Sequence, residues 1–159
     1  MRIISVLVLA AAALAFPLRF HAANKPFSLV ISSESKSFKA GSAVVINVSL
    51  TNNSDKDIDA SANISDSTGI DPNFLFDVRD AAGNLVAKRV YKNPELSTGH
   101  AMLGRLIKPG RTFEENADLN RLYDMSRPGE YDIQASRRAS ENENDGVVKS
   151  NGIRIAVTP

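Results

Sequence analysis

Cysteine is absent from the 159 residues. This excludes disulfides, thiolate metal sites, a cysteine nucleophile and lipid attachment at a cysteine. A chain of this length is long enough to be held by an apolar core alone. Histidine is scarce: only His21 and His100 occur. A zinc peptidase helix of the H-E-x-x-H type, which needs two imidazoles one turn apart, is therefore excluded. No G-x-S-x-G elbow is present, so a serine hydrolase lacks its usual signature. There is no basic block, no repeat of fixed period and no alternation of strands with helices. Nucleic-acid binding and parallel α/β architectures are thus not expected.

The one long apolar run is Ile3 to Ala15, interrupted only by Ser5 and preceded by Arg2. It is too short for a bilayer span, which takes roughly 20 apolar residues, and suits the h-region of a secretory signal peptide. Ala13-Leu14-Ala15 offers a small-x-small cleavage pattern, and Ala22-Ala23 a later one. The expected organisation is a signal peptide over 1–23 and a single domain over 24–159, exported to the periplasm or the extracellular space. Without Arg2 and Arg19, 17 basic residues face 18 acidic ones. That balance gives no electrostatic footprint for nucleic acid or anionic lipid.

Beyond residue 26 apolar and polar side chains alternate in short runs. Phe27, Leu29 and Ile31 share one face, as do Val44, Ile46, Val48 and Leu50, then Ile58, Ala60, Ala62 and Ile64, then Phe74, Phe76 and Val78. Period two predicts half-buried strands. Thr51 to Asp55 reads as a turn, and Ala82-Gly83-Asn84 as a hairpin leading into Leu85–Val90. Residues 91–101 read as a long connection. Met102–Ile107 reads as a strand paired through Lys108-Pro109-Gly110 with Arg111–Ala117. Asp118 is placed to cap a helical turn carrying Leu119, Leu122 and Tyr123. After Arg127-Pro128-Gly129, Tyr131, Ile133 and Ala135 point inward. Glu141–Gly146 is a polar hairpin tip, and Ile153, Ile155 and Val157 close the fold. The predicted class is all-β, an immunoglobulin-like antiparallel sandwich of about seven to nine strands with one helical turn near 118–124.

Several segments together carry a resemblance: Lys39-Ala40-Gly41 before a strand ending Leu50-Thr51-Asn52, Phe76 to Gly83, Lys108-Pro109-Gly110, Asp118-Leu119, and Tyr123 to Ser126 followed by Pro128 to Ile133. The series resembles the N-terminal β-sandwich region preceding the catalytic domain of deuterolysin-type, lysine-specific metalloendopeptidases. It is also broadly similar to the sandwich of the intracellular proteinase inhibitor family. The resemblance implies a freestanding version of the non-catalytic module, since the zinc helix is missing. In sandwich domains a tyrosine just inside such a strand can bond back across the corner, which marks Pro128, Gly129 and Tyr131 as a structural corner.

Candidate recognition residues lie beside the long connection: Tyr91, Lys92, His100 and Met102. No catalytic residue, cofactor or metal ligand is expected. Asp55, Asp57 and Asp59 alternate like the opening of a calcium loop, but Ala60 and Asp66 stand where that loop needs glycine and glutamate. They read as a solvated edge that discourages strand-to-strand aggregation. Asn47, Asn52 and Asn63 head N-x-S sequons by chance. Arg121, Arg127, Arg137 and Arg138 read as partners in surface ion pairs. The expected function is a binding or adaptor module for a protein, either a peptidase or an envelope protein. The alternatives are a peptidase inhibitor, acting through 91–101 or 139–149, and a hydrolase with an unrecognised carboxylate pair.

Overall fold

The computed structural model describes residues 25–60, 62–63, 74–89, 102–103, 105–140 and 143–159, with 62–63, 102–103 and 143 described by backbone alone. In chain order the elements are β1 (Phe27–Ser32), β2 (Ser37–Lys39), β3 (Val45–Asn52), β4 (Ile58–Asp59), β5 (Ala62–Asn63), β6 (Phe74–Asp80), β7 (Met102–Leu103), β8 (Leu106–Ile107), β9 (Thr112–Asp118), α1 (Leu119–Leu122), β10 (Gly129–Arg138) and β11 (Val147–Thr158). Seven of these strands form two principal sheets. One has the order β1-β3-β9, the other β2-β11-β10-β6, with β2 parallel to β11 and all other pairs antiparallel. Two short ladders, β4 with β8 and β5 with β7, complete the described strands.

Packing follows from the alternation. Phe27, Leu29, Ile31, Ile46, Val48, Leu50 and Ala117 from the three-stranded sheet are buried against Phe74, Phe76, Val78, Ile133, Ala135, Ile155 and Val157 from the four-stranded one. Each large side chain so buried contributes roughly 1.5–3 kcal/mol, so the two sheets are held without any covalent staple. The all-β sandwich is thus the fold of the described chain, and its helical turn is α1. Asp118 caps that turn: its Oδ1 accepts from Asn120 N at 3.1 Å and from Val44 N at 3.0 Å.

Three expectations about pairing are corrected. Strand β9 does not return along 102–107 but pairs with β3, Leu50 opposite Phe113 and Ile46 opposite Ala117. The reason lies on the outer face, where polar side chains of the two strands match. Asn47 Nδ2 donates to Asn116 Oδ1 at 3.2 Å, and the Thr51 and Thr112 hydroxyls meet at 2.9 Å. Residues 102–107 and 58–63 form separate two-residue strands rather than two continuous ones, and Ile64 lies outside the described residues. Of the expected return strand Leu85–Val90, the described residues 85–89 form no continuous strand. After the Asp80–Asn84 turn two isolated bridges form, Arg79 to Leu85 and Lys88 to Tyr123, with Val86 N donating to Val78 O. Among the described residues 85–89 only Val86 packs against the core, too little to hold a strand on the sheet.

Asn52, the last residue of β3, leads into the expected turn and is wholly buried. Its Nδ2 donates to the carbonyls of Lys56 and Ile107, both at 2.7 Å, and its Oδ1 accepts from Ser54 N and Ser54 Oγ. One amide thereby ties the 53–57 turn to β8. A buried polar group satisfied this fully locks one conformation, because losing any partner exposes a desolvated donor or acceptor.

Strand β11 changes phase midway. Val148 and Ser150 face inward, whereas Ile155 and Val157 do so at the opposite parity. The register with β10 shifts between Gln134 and Ser136, so that Ser150 and Asn151 together oppose Ala135. Within this bulge the Ser150 hydroxyl, rather than a backbone carbonyl, accepts from Ala135 N at 2.9 Å. Asn151 is re-aimed across the sandwich. Its Oδ1 accepts from Ile31 N at 2.9 Å and its Nδ2 donates to Ile31 O at 3.0 Å, joining the two sheets at the free edge of β1.

Candidate functional site

At one end of the sandwich, Gly129 opens β10 with φ of 156°, a conformation that favours a residue without Cβ. Two residues on, the Tyr131 hydroxyl donates to Arg127 O at 2.7 Å across the corner. Burial pushes the Tyr131 phenol above its ordinary pKa, with the Asp124 charge adding to it. A second buried tyrosine, Tyr123, donates to Phe76 O at 2.6 Å, and burial raises its pKa as well. Phe76 lies in the outermost strand of its sheet, so this bond occupies an edge carbonyl that would otherwise be open to a foreign strand.

Arg137 overturns the expectation of four surface arginines. It is 6% exposed, its guanidinium 5.7 Å from the Phe27 ring and 5.5 Å from the Phe74 ring, and it donates to Asp59 O. Period two explains this directly: Tyr131, Ile133, Ala135 and Arg137 are successive inward positions of β10. The parity is visible in the sequence, although arginine as a residue type is mostly exposed. Arg138, the next residue, is exposed.

The outer face of the four-stranded sheet carries the described surface hollow, about 370 Å³, shallow and open. Strand pairing sets its layout. Arg154 stands opposite Asp132, which stands opposite Arg79; one row along, Gly152 stands opposite Gln134, which stands opposite Asp77. Gly152 has no side chain to fill its position, and that vacant position deepens the hollow. Arg154 clasps Asp132 with two bonds, Nε to Oδ1 at 2.7 Å and Nη2 to Oδ2 at 2.8 Å, and reaches Glu130 at 3.6 Å. Arg79 holds Asp77 through Nε at 2.8 Å and Nη2 at 3.0 Å, and its Nη1 donates to Gly83 O. The Arg154 hydrogen bonds hold the Asp132 carboxyl below the usual carboxylate range, and the Asp132 and Asp77 carboxylates raise Arg154 and Arg79. Gln134 is fixed by donation from Nε2 to Ser150 O at 3.0 Å. The result is a surface grid of both charge signs joined by paired hydrogen bonds.

Sequence reasoning missed this face. Its residues are unremarkable outward positions of three strands distant in the chain, and only the order β11-β10-β6 brings them together. Tyr91, Lys92 and His100 lie outside the described residues, and Met102 is placed only as the first residue of β7. Neither histidine falls among the described residues. Asp55, Asp57 and Asp59 are exposed, and Asp57 pairs with Lys108 at 2.7 Å. Among the described residues no group of three or more His, Cys, Asp or Glu side chains could hold a metal ion. No helix among them is long and apolar enough to cross a membrane.

No family model and no curated protein matches the chain. Solved structures similar to it include a β-glucosidase from Erythrobacter marinus, 17% identical, with a TM-score of 0.44 over 83% of this chain and 15% of that one. A β-glucosidase from Listeria innocua, in complex with gluconolactone, is 14% identical, with a TM-score of 0.45 over 84% of this chain and 16% of that one. The chain therefore spans about one-sixth of the length of these proteins.

Proposed function

We propose that this chain is an exported, non-catalytic binding module that meets a protein partner, a peptidase or an envelope protein, through the outer face of its four-stranded sheet. The observation that carries this reading is the charge grid of Asp77, Arg79, Asp132 and Arg154 around the Gly152 hollow. Each arginine is held bidentately by its carboxylate, so the grid is ordered before any partner arrives. A pre-ordered face loses little side-chain entropy on association, and interspersed signs select a complementary partner.

The same pairs speak against acid–base work at this face. A glycosidase general acid needs a carboxyl held protonated near neutrality. Asp132 is pushed in the other direction by Arg154.

The test is a polarity swap. Asp132→Arg combined with Arg154→Asp retains an ion pair and inverts the local field. Wild-type protein immobilised on resin should retain an envelope protein or peptidase from its native host, identified by mass spectrometry. The swapped protein should bind that partner at least about tenfold more weakly, with the loss concentrated at low ionic strength. Equal affinity for both proteins would remove the face from the interaction, and an empty capture with wild type would reject the module reading itself.

A further inference from the structure

Asn151 and Gly152 form the one Asn-Gly step in the chain. We infer that this step is a fold-guarded site of spontaneous covalent modification, and that its reaction releases the Asn151 clasp between the two sheets.

The chemistry needs only water. The Gly152 backbone nitrogen attacks Cγ of Asn151, forming a five-membered succinimide. The Cγ–Nδ2 bond breaks, and ammonia leaves with the proton from Gly152 N. Water then opens the ring at either carbonyl, yielding aspartate at 151 or an isoaspartyl linkage whose main chain is one carbon longer. Glycine in second place permits this because it has no Cβ to hinder the approach and has the widest backbone freedom. Asparagine is among the thermolabile residues for this reason.

In the folded protein both ends of the Asn151 carboxamide are engaged. Oδ1 accepts from Ile31 N and Nδ2 donates to Ile31 O, on a strand of the opposite sheet. Held there, the amide carbon is kept from turning back toward Gly152 N. Reaction thus requires the clasp to open, and its rate reports that opening.

The product destroys what protected it. An aspartate at 151 retains an acceptor for Ile31 N but sets a second oxygen against Ile31 O, where a donor stood. An isoaspartate lengthens β11 just after its bulge. Ile155 and Val157, which are buried beyond it, then lose their register with Tyr131 and Gly129.

Gly152→Ala is the discriminating variant. A Cβ there meets nothing nearer than Ile133 O at 3.9 Å, ordinary van der Waals contact, and the backbone is not left-handed. Purified chain is incubated at mildly alkaline pH, folded or in urea, and the exchange of amide for acid at 151 is followed by peptide mass spectrometry. Modification at 151 is expected to be at least about tenfold slower in the folded protein than in urea, and at least about tenfold slower in unfolded Gly152→Ala than in unfolded wild type. Modified wild-type protein, separated by ion exchange, is expected to melt roughly 3–8 °C lower and to show faster hydrogen exchange at the Ile31 amide. Equal rates in folded and unfolded chain would overturn the guarding role. A modified fraction with unaltered melting and Ile31 exchange would overturn the clasp.

Discussion

Arg137 tests how a single inward charge is tolerated. It rests between two aromatic faces and bonds to a main-chain oxygen. Arg137→Ala removes these contacts and leaves the Asp59 carbonyl short of a donor, and should lower stability by about 2–4 kcal/mol, read as a reduced urea midpoint. Arg137→Lys should recover only part of this loss, because an ammonium lacks the planar surface that stacks on Phe27 and Phe74. Tyr123→Phe is the subtler case. It retains the ring and removes the donor to Phe76 O, so a loss of about 1–3 kcal/mol is expected at an unchanged denaturant slope. Arg137 was legible in the sequence from its parity with Tyr131, Ile133 and Ala135. The acceptor of Tyr123 was not, since Phe76 lies 47 positions away.

At the scale of elements, the strand positions follow period two while their partners do not. Val44 to Leu50 and Phe74 to Val78 are buried where alternation places them. Alternation names the face of a strand, however, and is silent on its neighbour. Nearness in the chain thus matches 111–117 with the strand before it, whereas the polar pairs Asn47–Asn116 and Thr51–Thr112 favour β3. The α1 cap illustrates the converse, a local signal that also serves a distant element. Asp118 was expected to receive the helix N–H groups, and its Oδ1 also accepts from Val44 N, joining the start of α1 to the entry of β3. Asp118→Ala should therefore cost about 1–3 kcal/mol, measurable by thermal melting, more than a cap alone is worth. Asp118→Asn, which retains an acceptor oxygen, should be far milder.

For the molecule as a whole, pH acts through groups of opposite kind. Asp80 is lowered by hydrogen bonds from Asn84, Asp124 by those from Ser126, and Asp132 by those from Arg154. Their folded values lie below the unfolded ones, so the stabilisation is present above about pH 4 and is lost as pH falls through the folded values. Tyr123 and Tyr131 are raised by burial. Folding therefore favours their protonated form, and stability declines once pH rises above about 10. Melting temperature plotted against pH should form a plateau with both limbs falling. Tyr131→Phe should make the alkaline limb shallower and Asp132→Asn the acid one, with Tyr123 and with Asp80 and Asp124 supplying the remainder of each.

The sequence by itself determined the positions and inward faces of the long strands β1, β3, β6 and β10 and the α1 cap, because these depend on the two-residue repeat of extended chain and on groups a few residues apart. Tertiary structure alone decided the β3–β9 pairing, the burial of Asn52, the Asn151 clasp on Ile31 and the charge grid around Gly152. Each of these joins residues far apart in the chain, and their meeting is governed by strand order and by a bulge whose phase shift no local pattern announces.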